Sequence, residues 1–196
     1  HEAGKYATGS NNTFMGYLAG YGTNTSAPFN SGGYNVALGT EALKGFTTAQ
    51  RMVAIGYEAM TDVTTGQDSV AIGYQAGYYN SGSYSVSIGM DAGKYPSAGY
   101  NVYMGYKAGT STRGNSNVAI GSLAMYYNAG NQNVAVGNTA GEHFRGTEST
   151  AVGSQAGRHA TGSYNTFVGM GAGYGGTTSA PYSSGQYNTA LGYQAL

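Results

Sequence analysis

The sequence predicts an all-β protein, a parallel β-solenoid whose coils each contain about 16 residues. A segment like Ser69–Gly77, with the sequence Ser-Val-Ala-Ile-Gly-Tyr-Gln-Ala-Gly, recurs eleven times along the 196 residues. Most successive copies lie 16 residues apart, and the others lie 17 or 23 apart. The chain also contains 35 glycines, which permit frequent bends. A short fixed period with this composition indicates a fold built from stacked coils.

Each copy is described here by its position relative to a central glycine. An alanine always lies at +3, a mid-sized apolar residue always at −1, and Val or Thr always at −3. Such strict positions indicate a geometric constraint on every coil. The central glycines are Gly16, Gly39, Gly56, Gly73, Gly89, Gly105, Gly121, Gly137, Gly153, Gly169 and Gly192.

Positions −3 to −1 are predicted to form a short strand, as in Asn117-Val118-Ala119-Ile120. Their β-branched residues favour strands, and side chains alternate between the two faces. The central glycine then bends the chain, a second segment passes through the +3 alanine, and a polar turn follows. Most copies have another glycine at −7, so each unit has two bends. We expect the apolar side chains at −1 and −3, and the +3 alanines, to form the core.

A solenoid of helical hairpins is the competing interpretation of a fixed repeat. It needs units of roughly 33 to 47 residues, whereas these units mostly have 16. Glycine at this density would also cost about 1 kcal/mol at each helical site. The period therefore favours β-coils.

Position −2 faces away from the −1 and −3 side chains, yet it is alanine in seven copies and Phe14, Ser87, Tyr103 or Phe167 in the others. A column of small apolar residues on a surface invites close packing against another chain. We therefore predict an oligomer, with a single solenoid whose own turns cover this face as the alternative. The candidate oligomer face comprises Ala37, Ala54, Ala71, Ala119, Ala135, Ala151 and Ala190.

The chain also repeats at a longer period. Residues 1–43 align without gaps to residues 154–196, with 27 identities. Both copies contain an expansion that ends in Thr-Ser-Ala-Pro, at Pro28 and Pro181. Proline cannot donate to a β-ladder, so the expansions are predicted to protrude as loops. We interpret residues 1–196 as a single solenoid domain of eleven repeats, a window of a longer fibre made by block duplication.

Composition argues against several classes of partner. The formal net charge is zero and the eight Lys and Arg residues are scattered, which argues against nucleic-acid binding. No stretch approaches 18 apolar residues, so no membrane insertion of this segment is predicted. The absence of cysteine excludes disulfides and thiolate metal sites.

The recurring Ser-Val-Ala-Ile-Gly-x-x-Ala resembles the head repeats of trimeric autotransporter adhesins, the YadA-like left-handed parallel β-roll. Variants such as residues 12–20 and 188–196 also resemble repeats of phage tail fibres and large bacterial surface proteins. The similarity covers the whole chain, although the family's coil typically has about fourteen residues. No stalk, neck or membrane anchor is recognisable. The resemblance implies left-handed coils, a homotrimer, and attachment at a cell surface or virion tail fibre.

The polar residues give little support for catalysis, and we predict that the protein is not an enzyme and has no cofactor. His143 and His159 share position +6 in successive coils, but no carboxylate recurs beside them. The glutamates near His143 lack zincin spacing, and the aspartates do not recur in every coil as in calcium-binding β-rolls. Sugar cleavage would need paired carboxylates, which this sparsely charged chain does not favour. These acidic residues are Glu142 and Glu148, and Asp62, Asp68 and Asp91.

The most suggestive functional feature is the aromatic content, with twenty tyrosines and no tryptophan. Many tyrosines fall in turns, and position +6 repeatedly holds an aromatic or His residue. Such a column could stack on sugar rings or contact a protein receptor; alternatively, its rings stack only on one another. The candidate recognition residues are Tyr78, Tyr79, Tyr95, Tyr126, Tyr127, His143 and His159.

The sequence thus predicts a structural and adhesive segment of an extracellular appendage or phage tail fibre, acting through many weak contacts. Its predicted partners are copies of itself, in a trimer or a filament, and a surface glycan or protein receptor. The alternatives are a self-assembling extracellular filament and a ligand-binding or ice-binding solenoid. Ice binding needs a regular threonine face, and the strand column has threonine only at Thr13, Thr150, Thr166 and Thr189.

Overall fold

The computed structural model describes residues 1–23, 30–176 and 184–196 and has an all-β parallel solenoid fold, as predicted. Within these residues each repeat contributes one three-residue strand and there is no helix, hence none that could cross a membrane. The strands are β1 Thr13–Met15, β2 Val36–Leu38, β3 Val53–Ile55, β4 Val70–Ile72, β5 Val86–Ile88, β6 Val102–Met104, β7 Val118–Ile120, β8 Val134–Val136, β9 Thr150–Val152, β10 Thr166–Val168 and β11 Thr189–Leu191.

The strands form one parallel sheet in sequence order, and equivalent positions pair throughout. Ala54 pairs with Ala71 across a 17-residue spacing, and Phe14 pairs with Ala37 across a 23-residue spacing. Backbone hydrogen bonds continue this register into the turns. The expansions predicted to protrude at Pro28 and Pro181 lie outside the described residues.

The structure reverses the predicted assignment of the two strand faces. The +3 alanines from Ala19 to Ala172 are fully buried, as predicted, but the −2 side chains share that interior with them. Side chains at −1 and −3 instead lie on the outside, where Ile72 and Ile120 are each 37% exposed. The predicted oligomer face is therefore wrong, because its residues are buried within their own chain: Ala37, Ala54, Ala71, Ala119, Ala135, Ala151 and Ala190.

The physical reason is the small space inside each coil. Where an aromatic residue occupies −2, a glycine occupies +4 and leaves room for the ring. A Cβ on Gly109 would lie 2.0 Å from the ring of Tyr103, and one on Gly173 would lie 2.2 Å from the ring of Phe167. Alanine at −2 is thus the residue that fits inside, whereas the larger β-branched side chains fit only outside.

The central glycine is required because successive coils approach closely at this point. All eleven central glycines have φ between 119° and 136°, a conformation that side chains disfavour. A Cβ on Gly73 would lie 2.7 Å from the carbonyl oxygen of Gly89 in the next coil. The motif is therefore set by backbone packing between coils.

A column of amide and hydroxyl side chains at −4 adds a second set of contacts between coils, here called the amide ladder. The amide nitrogen of Asn133 donates to Oδ1 of Asn117 at 2.9 Å, and Asn117 Nδ2 donates to the carbonyl oxygen of Gly130 at 3.0 Å. Both of these partners of Asn117 lie in the next coil. The ladder comprises Asn12, Asn35, Ser69, Ser85, Asn101, Asn117, Asn133, Ser149, Asn165 and Asn188, and Met52 interrupts it.

Candidate functional site

The outer side of the sheet forms a continuous apolar surface, the strand face, made of positions −3 and −1 of all eleven strands. It consists of Val, Ile, Leu, Met and Thr and contains no charged side chain. Each Val or Ile is partly shielded by its equivalents in adjacent coils, so most are half-buried. Because a solvent-facing sheet is normally polar, this composition is typical of a surface that packs against something else.

Tyrosine columns lie on both edges of the strand face, two residues before −3 and two residues after −1. Tyr84 and Tyr100 at −5 stack with centroids 4.9 Å apart, and Tyr57 and Tyr74 at +1 stack at 5.4 Å. All four rings are exposed. These columns were not predicted from the sequence, although the recurrence of tyrosine at −5 and +1 was a signal for them.

The predicted aromatic column at position +6, here called the turn column, is confirmed. Tyr79 stacks on Tyr95 with centroids 5.4 Å apart, Tyr127 stacks on His143 at 5.4 Å, and His143 stacks on His159 at 5.1 Å. Their planes are within 21° of parallel. Ser111 occupies the same position between Tyr95 and Tyr127 and divides the column into two stacks.

Only part of this column is accessible. Tyr79, Tyr95 and Tyr127 have exposed rings, whereas His143 is half-buried and His159 is only 8% exposed. The structure therefore reduces the predicted recognition residues of this column to the three exposed rings and the half-buried His143, and excludes the buried His159.

The two remaining candidates, Tyr78 and Tyr126, lie at +5 and support the turn column. They meet Tyr79 and Tyr127 edge to face, with centroids 4.5 and 4.3 Å apart. Partial burial raises the pKa of Tyr78 to about 12, so its hydroxyl stays protonated at neutral pH. These two rings hold the exposed ones in place rather than offering a free face of their own.

The histidine pair lies among charged groups from both neighbouring coils. Burial lowers the pKa of His143 and of His159, and Arg158 lowers both further. Glu142 opposes this shift but is itself bound by Arg158, with Nε 2.5 Å from Oε2. Both imidazoles are therefore favoured in the neutral form at neutral pH.

Among the described residues no three His, Cys, Asp or Glu side chains lie close enough to hold a metal ion. Eight of the 18 buried polar residues in the described part of the chain belong to the amide ladder, where they make structural contacts between coils. The surfaces that the fold offers for function are thus the strand face and the exposed rings of its turns.

The fold defines this chain as a parallel β-solenoid repeat protein. Comparison with protein-family models, with curated proteins and with solved structures finds no match. The function is therefore inferred from the strand face and the exposed rings of the turns.

Proposed function

We propose that this chain is a non-enzymatic segment of an extracellular fibre that self-associates through its strand face and attaches to surfaces through its turns. The strand face carries the first part of this proposal. Eleven strands spaced about 4.8 Å apart make the strand face about 48 Å long, and three residues per strand make it about 10 Å wide. It therefore presents roughly 500 Å² of apolar surface, which is comparable to the largest patches of soluble monomers.

A second copy of the chain is the occupant that suits this surface best. The strand face has no charge to complement, and its composition is the same from coil to coil, so equivalent faces match one another. Closed rotational symmetry brings identical patches together in this way. The tyrosine columns at its edges also resemble the aromatic content of protein interfaces. The resemblance to trimeric adhesin heads favours three copies around one axis.

Attachment would use the turns, which remain outside such an assembly. The exposed rings recur along the rod and in each copy, so a fibre presents the same contact many times. Weak individual contacts then sum through avidity when geometry lets them engage together. This supports adhesion at a cell surface or by a virion tail fibre as the proposed role, with a self-assembling filament as the related alternative.

The test is the mass of the particle in solution, measured by light scattering and sedimentation. We expect three chains per particle for the wild type and a single chain for Ile72→Lys/Ile120→Lys, with the β-type circular dichroism spectrum retained. Each lysine would be buried without a partner in the assembly. The control Tyr95→Lys changes an exposed turn residue and should leave the mass unchanged. A monomeric wild type would overturn the proposal, as would a double variant of unchanged mass.

A further inference from the structure

A surface cavity of about 520 Å³ opens on the turn side of the solenoid, at the point where Ser111 interrupts the turn column. It is lined by Ser111, Arg113, Tyr127, Asn128, Ala129 and Arg145. The small side chain of Ser111 leaves space where the neighbouring coils have an aromatic ring. The cavity therefore combines an aromatic wall, a floor of small residues and two cations.

The coil register places the two arginines on either side of a small residue. Arg113, Ala129 and Arg145 all occupy position +8 of consecutive coils. The amide nitrogen of Arg113 donates to the carbonyl oxygen of Asn128 at 2.9 Å, and the amide nitrogen of Ala129 donates to the carbonyl oxygen of Phe144 at 3.0 Å. With coils about 4.8 Å apart, the two arginine backbones are about 10 Å from each other. Two flexible side chains can therefore converge on one group above Ala129.

The charge around the cavity is unbalanced. The cavity lining contains Arg113 and Arg145 and no acidic residue, whereas Glu142 and Glu148 lie three residues to either side of Arg145 in the sequence. Within the described part of the chain, Arg113 is exposed and no carboxylate lies within ion-pairing distance of it. The nearby Glu142 is held by Arg158. The cavity is thus a local positive site on a chain whose formal net charge is zero.

Tyr127 supplies an apolar surface beside these cations. Its ring is 50% exposed and packs against His143 on the side of the next coil, with centroids 5.4 Å apart. On the side of the preceding coil its neighbour in the turn column is Ser111, so no ring covers it there. A flat ring with one face open suits the apolar face of a sugar.

We propose that this cavity binds an acidic saccharide, with a sugar ring against Tyr127 and its carboxylate or sulfate group between Arg113 and Arg145. Guanidinium groups form strong charge-assisted hydrogen bonds with such anions. The proposal rests on the attachment function proposed above and specifies its ligand class. All residues of the site belong to one chain. Arg113 is ten residues after Tyr103 and six before Ala119, which are both buried under the strand face, so it lies roughly half a coil away from that face. It therefore remains accessible if strand faces pair.

The experiment is calorimetric titration of the assembled wild-type protein with four probes: a galacturonate tetrasaccharide, a heparin tetrasaccharide, neutral maltotetraose and inorganic phosphate. We expect at least one acidic tetrasaccharide to bind about tenfold or more tightly than maltotetraose and phosphate. The tetrasaccharide that binds identifies carboxylate or sulfate as the recognised group. Binding should weaken in high salt, because the contact is ionic and solvent-exposed.

Substitutions then locate the site. Arg113→Gln/Arg145→Gln is expected to weaken binding about tenfold or more, and Tyr127→Ser about fivefold or more. Tyr127→Ser should fold, because Ser111 already occupies the same position. The matched control Lys107→Gln removes a nearby cation, and Gln75 and Gln155 occupy that position in other coils. This control should bind normally, and circular dichroism should confirm the fold of each variant.

Several results would overturn the proposal: no binding of either acidic tetrasaccharide, unchanged binding by the arginine double variant, or phosphate binding as tightly as the saccharides. In the last case the site holds an anion only. These failures are distinct from failure of the proposed assembly, because a tetrasaccharide occupies one cavity of one chain and its affinity does not depend on particle mass. A trimer without saccharide binding would refute this inference alone.

Discussion

The two ends of the solenoid have the same backbone coil but fill it in different ways. The N-terminal core, from Ala19 to Ala76, contains larger aliphatic and aromatic side chains, namely Leu43, Phe46, Met52, Met60 and Val63. The C-terminal core, from Ala92 to Ala190, contains eleven alanines around three aromatic rings and one methionine. The amide ladder is continuous beside the C-terminal core and is broken by Met52 beside the N-terminal core.

This difference shows that one coil geometry can be held by apolar packing or by side-chain hydrogen bonds. Met52 is fully buried, and its amide nitrogen still donates to Oδ1 of Asn35 at 3.0 Å. Its side chain adds apolar contacts but offers no acceptor to the next coil. The coils that begin at Gly39 and Gly56 also have one extra residue, which accompanies the larger side chains. Loss of hydrogen bonds is thus compensated by apolar burial in the same coils.

The largest expected effect comes from Phe46→Ala in the N-terminal core. Removing this buried ring should lower the free energy of unfolding by about 4 kcal/mol, because it leaves a cavity. Urea denaturation would measure the loss. Hydrogen exchange should show that protection falls mainly in the coils from Gly39 to Gly73.

Phe144→Ala is the matched variant, since Phe144 occupies the same +7 position in the C-terminal core. There the amide ladder persists, so the amide of Asn133 should remain protected. Equal loss of local protection in the two variants would contradict the proposed difference between the halves.

Asn117→Ala should have the next largest effect. It leaves the amide nitrogen of Asn133 without its acceptor, whereas the carbonyl oxygen of Gly130 keeps Asn128 Nδ2 as a donor at 3.2 Å, so the expected cost is about 2 kcal/mol. Chemical denaturation of the variant would test this value. Asn117→Ser should cost less, because serine occupies this position at Ser85 and Ser149. If alanine were tolerated as well as serine, the ladder would not stabilise this half.

The smallest expected effect is a pH dependence confined to the C-terminal half. The pKa values of His143 and His159 are lowered from 6.5 by burial, so below this pH the unfolded chain binds more protons. The free energy of unfolding should therefore be unaffected by these histidines above about pH 6.5, and should fall as the pH drops through their lowered pKa values. Glu142, Arg145 and Arg158 are the charged groups that contribute to these shifts.

Denaturation midpoints at pH 8 and pH 5 would measure this effect. His143→Tyr/His159→Tyr keeps the aromatic stack, because tyrosine occupies the same position at Tyr79 and Tyr127, but removes both titrating groups. This variant should lose much of the difference between the two pH values. A wild type that becomes more stable on acidification would contradict the assignment.

The sequence was sufficient to predict the coil period, the strand positions, the bend at the central glycine and the buried +3 alanines. These features recur in every copy, so local pattern and period define them. The turn column was predictable for the same reason, because Tyr127, His143 and His159 occupy one position of consecutive coils.

Which side of each strand faces inward could not be read from the sequence. Both faces are apolar, so alternation gives no sign of which one is buried, and the answer depends on the space left inside a closed coil. The fit of the Tyr103 ring into the space left by Gly109 is an example. It could not be predicted, because the sequence does not show that these two residues lie in the interior of the same coil. The amide ladder was detectable as recurring Asn or Ser at −4, but its hydrogen bonds depend on the register between coils.

The direction of the amide ladder has a consequence for how such a chain forms. Asn101, Asn117 and Asn133 each make side-chain hydrogen bonds with the coil that follows in the sequence, and Asn101 also donates to the carbonyl oxygen of Ala98 in its own coil. Where the ladder is continuous, each finished coil therefore carries a preformed template for its successor. Growth of structure in the N-to-C direction then adds one coil at a time onto an existing surface, without a new nucleation step. A chain that emerges N-terminus first during synthesis would wind in the order in which it appears.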